Sequence, residues 1–368
     1  MKRILIFGVT ENPGGVETFI LNYFRMFNKD NIRCDFLCNS KKPMAFEKEC
    51  ISMGARVFHI TSRRDNPPVY WRELKALFEQ HATEWNAIWV NVNSLANIDY
   101  LKLAKKYGIP KRIIHSHNSD NMDSRLRGAL HHWNRRKIDN YATDFWACSQ
   151  KAARWFYRSE ILPKSVVIHN AIRIEGLAFD PAEREHMRRI MDCVDCMVIG
   201  NTGRLRFEKN QTLALDILKA IHVKGIRAKL VLVGSGEDEQ KLREKSAAIG
   251  VEDDVVFAGF QSDIGPWLNA FDVFLFPSLF EGLGIAALEA QANGLPVVAA
   301  REGVPEEVQV NENVCFVSLK DDPEIWAERV IDLANGDRAD PYETCQRFKE
   351  KGYEISGEIS RLEGYLMQ

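Results

Sequence analysis

The sequence predicts an α/β protein made of two Rossmann-like domains, each a doubly wound parallel sheet. Three observations predict it. Short, continuously apolar runs alternate with amphipathic helical patterns along both halves, the rhythm of βαβ units. The chain has 368 residues, enough for two separate cores. Its net charge of −2 is also divided: residues 1–178 carry 28 Lys and Arg against 17 Asp and Glu, and the remainder 21 against 34. A basic half of +11 joined to an acidic half of −13 suggests two domains with different partners.

In the first half, Arg3–Val9 reads as a strand covered on both faces, because its apolar residues run on without alternation. Val16, Phe19, Ile20, Tyr23, Phe24 and Phe27 then recur on one helical face. Gly14 and Gly15 therefore lie at a strand-to-helix turn, where backbone can approach a phosphate. A tight turn without a ligand fits them equally, and Gly8, Gly14 and Gly15 do not make the G-x-G-x-x-G fingerprint. Arg33–Cys38, Arg56–Ile60, Ala87–Val92 and Lys111–His115 read as further strands. Pro43–Met53, Tyr70–His81 and Leu95–Tyr107 read as helices. Ligands of such sheets sit beyond the carboxyl ends of the strands, where His115-Ser116-His117-Asn118-Ser119 lies. Taken alone, both histidines are ordinary strand-end residues.

Ser124–Asn140 gathers Arg125, Arg127, His131, His132, Arg135, Arg136 and Lys137 around Leu126, Leu130 and Trp133. This is either a solvated helix face or a surface for an anionic membrane or acceptor. No nucleic-acid-binding motif appears. Asp144–Ser149 and Val166–Asn170 read as strands. Beyond Ile172 the pattern turns irregular, and after Pro181 an Arg/Glu-rich helix runs to Met191. The boundary is therefore placed near 178, giving domains 1–178 and 179–354, with a last helix over about 355–368.

The second half opens with a strand at Val198–Gly203 and a loop carrying Arg204 and Lys209. Two cations five apart after a strand can reach one diphosphate, as a fork and a point charge; as surface residues they could equally be solvated. Asn210 is expected to cap the following helix, whose face is Leu213, Ala214, Ile217, Leu218 and Ile221. Lys229–Val233 leads into Gly234-Ser235-Gly236, and Val255–Ala258 into Gly259-Phe260. Asp263–Ala270 is a short helix, Asp272–Phe276 a buried strand, and Pro323–Ala334 a helix. Between Phe276 and a strand opened by Pro296, Gly282, Leu283 and Gly284 begin a stretch of helix formers that stops at Gly294. Glu281 and Glu289 span that stretch. Were most of it helical, they would stand roughly 12 Å apart along the axis. Two such carboxylates could hold hydroxyls at opposite ends of one ligand, with backbone N–H groups and a helix N-terminus between them for an anion. Two ordinary surface glutamates fit the spacing as well.

Pro277-Ser278-x-x-Glu281-Gly282-x-Gly284…Glu289-Ala-x-Ala-x-Gly-Leu-Pro-Val-Val resembles the signature of retaining GT-B glycosyltransferases of family GT4. The resemblance extends to Gly203-Arg204-Leu205 with Glu208-Lys209, to Gly234-x-Gly236, to Gly303-x-Pro305-Glu306, and to Gly14-Gly15-x-Glu17. It covers nearly the whole chain. It implies two Rossmann-like domains facing a cleft, the last helix crossing back onto the first domain, and Asn170 ending that domain. It implies that Arg204 and Lys209 bind the donor diphosphate, Glu289 the ribose hydroxyls, and Glu281 and His117 the donor sugar. Gly203, Gly234 and Phe260 would edge the nucleotide pocket, and Gly14 and Gly15 would face the donor phosphates and the acceptor. The implied donor is a nucleoside diphosphate sugar. The His-Ser-His-Asn and Phe-Glu-Gly-Leu patterns resemble capsule and exopolysaccharide enzymes, where UDP is the commoner nucleotide. A nucleotide-sugar epimerase on the same scaffold, or a non-catalytic nucleotide-binding regulator, are the alternatives.

No cofactor or metal is expected, since no Asp-x-Asp triplet stands at a strand end. Cys193-x-x-Cys196 has no second pair or His-x3-His beside it for zinc. The eight cysteines are scattered in a chain without a signal peptide, so reduced thiols and a cytoplasmic location are expected, with peripheral contact to the plasma membrane through the basic segment.

Overall fold

The computed structural model describes residues 1–118 and 125–368. Ser119 of the histidine cluster and Ser124 of the basic segment lie outside the described residues. The chain divides into two compact units, Met1–Ala171 with Ile355–Gln368, and Ile172–Glu354. The first unit thus ends at Ala171, ahead of the predicted 178.

The first unit runs β1 (Lys2–Phe7), α1 (Gly15–Met26), β2 (Ile32–Cys38), α2 (Glu47–Ser52), β3 (Arg56–His59), α3 (Pro67–His81), β4 (Ala87–Val92), α4 (Asp99–Lys106), β5 (Lys111–Ser116), α5 (Arg125–Arg135), β6 (Asp144–Ala147), α6 (Gln150–Phe156) and β7 (Ser165–Val167). Its strands form one seven-stranded sheet in the order β3-β2-β1-β4-β5-β6-β7. Every pairing is parallel. The central strands are buried because helices cover both faces: Ile4, Leu5, Ile88, Trp89 and Val90 have no appreciable exposure.

The second unit runs α7 (Pro181–Ile190), β8 (Met197–Thr202), α8 (Gln211–Val223), β9 (Ala228–Val233), α9 (Glu239–Ile249), β10 (Val255–Gly259), α10 (Gly265–Ala270), β11 (Val273–Phe276), α11 (Ile285–Ala292), β12 (Val297–Ala300), β13 (Val314–Val317), α12 (Pro323–Ala334) and α13 (Pro341–Glu350). Its six strands take the order β10-β9-β8-β11-β12-β13, again all parallel. The base of β11 is clamped to α7. Arg184 reaches Asp272 at 2.5 Å and the Phe271 carbonyl at 2.8 Å, and Arg188 shares the same carboxylate.

The last helix, α14 (Ile355–Met367), belongs to the first unit. It packs on α1 and buries Ile355, Leu362 and Leu366. Its Arg361 donates to the Val167 carbonyl at the end of β7, and Tyr365 meets Trp146 of β6 at 6.1 Å.

In each sheet the strand order reverses once, between β1 and β4 and between β8 and β11. At such a point the connections from the two neighbours cross to opposite faces of the sheet, and doubly wound sheets take ligands beyond the carboxyl ends of the strands there.

Candidate active site

In the second unit the reversal point sits under the loop after β8, Gly203 to Asn210, and the loop after β11, Pro277 to Gly284. The two are laced by backbone contacts. Leu279 N–H donates to the Glu208 carbonyl at 2.8 Å, and the Asn210 amide donates to the Pro277 carbonyl at 3.1 Å. Neighbouring loops join in: Glu281 N–H to the Gly303 carbonyl and Gly234 N–H to the Gly259 carbonyl, each at 2.8 Å. Gly234 has φ +145, and a Cβ there would stand 2.0 Å from the Gly203 carbonyl oxygen. The strand ends therefore approach more closely than any side chain allows. Asn210 does not cap α8 as the sequence predicted. It stands at the N-cap position in a left-handed conformation and makes no side-chain cap, its side chain being turned so that the amide donates to the Pro277 carbonyl.

This lacing sets an alternating row of charges. Lys209 Nζ lies 2.6 Å from Glu281 Oε1, with 22% and 12% of the side chains exposed, and 5.5 Å from the Phe276 ring centroid. Arg204 reaches Glu237 Oε2 at 3.1 Å, while Arg206 holds Glu237 Oε1 at 2.8 Å and Glu208 Oε1 at 3.1 Å. Glu208 Oε2 is buried without a hydrogen-bond partner, and desolvation raises that carboxyl's pKa.

Glu281 and Glu289 are not joined by a continuous helix. α11 starts only at Ile285, behind Gly284 at φ +104, where a Cβ would meet the Phe276 ring at 2.7 Å. The roughly 12 Å helical ruler expected from the sequence therefore does not apply. Gly282, Leu283 and Gly284 are buried, and no side chain caps the first turn of α11; Ala287 N–H turns to the Gly284 carbonyl at 3.0 Å, and the N–H groups of Ile285 and Ala286 lead the helix. Phe260, after β10, is half exposed.

Glu289, one turn into α11, is partly buried, and desolvation alone pushes its carboxyl up to about 8. Such a group is a strong acceptor site for paired hydroxyls once ionised. Its pKa also has a consequence for stability. Between the ordinary carboxylate value of 4.5 and about 8, the unfolded chain has released a proton that the folded chain keeps. Stability contributed by this residue is thus present below that window and lost as pH rises through it. Thermal melts across it are expected to fall more steeply for the wild type than for Glu289→Gln. Superimposable pH profiles would contradict the burial of this charge.

In the first unit, Gly14 is the extended N-cap residue of α1. Glu17 closes the preceding loop by accepting from Thr10 N–H at 3.1 Å and Thr10 Oγ1 at 2.7 Å. Gly14 and Gly15 thus meet the helix end across a turn fixed from within. His117 faces the same helix, its ring 4.8 Å from that of Phe19 on α1. Asn91 on β4 spends its amide group on the Phe7 and Trp89 carbonyls, so its Oδ1 accepts from His117 Nε2 at 2.8 Å. Burial lowers the His117 pKa to about 3, so the ring is neutral, with Nε2 protonated and Nδ1 an acceptor. His117 can therefore take a hydroxyl hydrogen but carries no charge near neutral pH. His115 is fully buried and its Nδ1 accepts from Trp89 Nε1 at 3.3 Å, a core role.

Two family models match. "Glycosyltransferase Family 4" covers residues 13–175 and "Glycosyl transferases group 1" covers residues 196–336. The chain belongs to glycosyltransferase family 4. The putative glycosyltransferase EpsF of Bacillus subtilis is 29% identical over 98% of this chain and 95% of its own. The capsular polysaccharide biosynthesis glycosyltransferase CapM of Staphylococcus aureus is 28% identical over 53% of each chain. Among solved structures, HepE of Anabaena in complex with UDP and glucose superposes with a TM-score of 0.80 and 20% identity, covering 100% of this chain and 99% of its own. The fold is accordingly GT-B.

In this glycosyltransferase the second unit brings together Gly203, Arg204, Lys209, Gly234, Glu281 and Gly282–Gly284, while Gly14, Gly15 and His117 belong to the first unit, where His117 meets α1 at Phe19. The sequence reading missed Arg206, Glu237 and Asn91, and gave Glu208 no role beyond its place in the family pattern. Glu237 touches Arg204 and Asn91 touches His117, yet nothing in the local pattern marks either. The basic segment needs one correction. Arg135 is not available to a surface, since its guanidinium donates to the Arg154 carbonyl at 2.9 Å and to that of Tyr157. Arg125, Arg127 and Arg136 are exposed, and Lys137 lies over the Trp133 ring at 4.1 Å. No helix among the described residues is long and apolar enough to cross a membrane.

Proposed function

We propose that this glycosyltransferase moves a sugar from a UDP-sugar to a hydroxyl of a glycan or lipid-linked glycan, with retention of anomeric configuration, in capsule or exopolysaccharide assembly. The observation that carries it is the loop cluster at the β8/β11 reversal point. There Arg204, Arg206 and Lys209, the carboxylates of Glu208 and Glu281, and the N-terminus of α11 occupy loops held together by their own backbone. Further support comes from the polysaccharide role named for CapM and the UDP and glucose bound by HepE. Arg204, Lys209 and the N–H groups of α11 would neutralise the diphosphate as it departs, which is where charge develops. Glu289 would bind the ribose hydroxyls. Glu281 and neutral His117 would orient the donor sugar. The exposed face of α5 would rest on an anionic membrane surface that presents the acceptor.

Product analysis with radiolabelled UDP-sugars and a membrane-extracted acceptor tests this. Label on the acceptor, in the donor's anomeric form, supports it. Epimerised sugar with UDP, or binding without turnover, would replace it by the epimerase or the regulator. Because fixed cations supply the charge that a metal would otherwise bring, transfer is expected to proceed at an unchanged rate in EDTA. Loss of activity restored by Mn²⁺ or Mg²⁺ would contradict that assignment.

A further inference from the structure

Arg204, read above as a diphosphate ligand, already has an anionic partner within its own chain. Glu237 follows Gly234-Ser235-Gly236, and the backbone fixes it opposite the β8 loop. Leu205 N–H donates to the Ser235 carbonyl and Asp238 N–H to the Leu205 carbonyl, both at 3.1 Å. A Cβ on Gly236 would stand 2.1 Å from the Leu205 carbonyl oxygen, so the two loops touch backbone to backbone. This contact puts one carboxylate between two forks, Arg206 on Oε1 at 2.8 Å and Arg204 on Oε2 at 3.1 Å. Arg206 also holds Glu208.

We propose that Glu237 is a built-in competitor for the donor diphosphate, holding Arg204 until the phosphates take it and recovering it when the nucleoside diphosphate leaves. The proposal rests on the reading of Arg204 as a diphosphate ligand. The asymmetry of the clamp is what makes the exchange workable. Arg206 stays on Glu237, so Arg204 can turn away without stranding an unpaired carboxylate. The Arg204 and Glu237 side chains are 36% and 49% exposed, so water screens their attraction and the pair exchanges readily. A diphosphate offers Arg204 two charged acceptors and a bidentate fit, which a single oxygen of a carboxylate shared with Arg206 does not match. Glu237 would then keep Arg204 ordered, lower the affinity for nucleoside diphosphate and hasten its release.

A carboxylate that merely positions Arg204 predicts the opposite sign on removal, so one substitution separates the two roles. Calorimetric titration and stopped-flow release of UDP, GDP and ADP would be run on the full chain as wild type, Glu237→Gln, Arg204→Ala and the double variant. Glu237→Gln is expected to tighten the bound nucleotide about two- to fivefold, mainly through slower dissociation. The gain should vanish in the Arg204→Ala background. Weaker or unchanged binding by Glu237→Gln, with an unshifted melting temperature, overturns the proposal. So does a gain that persists without Arg204, which would mark a general charge effect. If the wild type binds none of the three nucleotides, the donor reading itself falls and this proposal with it.

Discussion

Lys209→Ala is expected to weaken binding of the nucleoside diphosphate, and to slow transfer, more than any other single change in the site. A charge-assisted hydrogen bond contributes roughly 1.5–3 kcal/mol, or about 10- to 150-fold in affinity. Lys209 should reach the upper part of that range for a reason specific to its surroundings. Its ammonium is 2.6 Å from Glu281 Oε1, in a pair that is mostly buried. Removing it subtracts a cation and leaves Glu281 facing the diphosphate as a like charge. Arg204→Ala should fall lower in the range, since Glu237 keeps Arg206 at 2.8 Å. Titration with UDP, alongside melting curves to show intact folding, checks both. Wild-type affinity in both variants would remove the diphosphate assignment.

The second large effect concerns α5, whose two faces are inverted relative to a helix that packs on a core. It buries the polar side chains of His131 and Asn134 and exposes Leu126 and Trp133, at 71% and 56%. The buried polar groups are satisfied: His131 Nδ1 accepts from Leu95 N–H at 3.1 Å, and the Asn134 amide donates to the Leu95 carbonyl. Leu126, Leu130 and Trp133 follow the spacing of one helical stripe, bordered by Arg125, Arg127, Arg136 and Lys137. An anionic lipid surface matches both properties. Burying a Leu side chain contributes ~1.5–3 kcal/mol, and each cation at such a surface ~1 kcal/mol. Liposome co-sedimentation should therefore show binding to anionic vesicles that weakens with salt. Leu126→Ser with Trp133→Ser should reduce it at all salt concentrations. Replacing Arg125, Arg127, Arg136 and Lys137 by Gln should instead remove its preference for anionic over neutral vesicles. Equal binding to both vesicle types by the wild-type chain would end the idea.

The elements most legible in the sequence were those whose cause is local. Ala87–Val92 as a strand and Pro323–Ala334 as a helix have the same bounds in sequence and structure. α13 went unread although its signal was present: Asp340 precedes Pro341 and accepts from the N–H groups of Tyr342 and Glu343. The short β13, Val-Cys-Phe-Val, carries too little pattern to separate from a loop and owes its state to pairing with β12. Asn210 departs from the expected cap because capping propensity is a local preference, while a left-handed backbone and a carbonyl sixty-seven positions away in the chain set the direction of its side chain.

By itself, the sequence determined the two α/β units, their parallel sheets, and the membership of Arg204, Lys209, Glu281 and Glu289 in one extended signature. Periodicity and motif spacing are properties of neighbouring residues, so a linear reading reaches them. Tertiary structure alone decided the state of the charges. It gave Lys209 to Glu281, placed Glu237 between Arg204 and Arg206, neutralised His117 by burial, and turned the apolar stripe of α5 outward. Each of these depends on which strand lies beside which. Strand order follows from how helices cover the sheet, and ionic interactions inside a fold depend on distance and desolvation that no local pattern encodes.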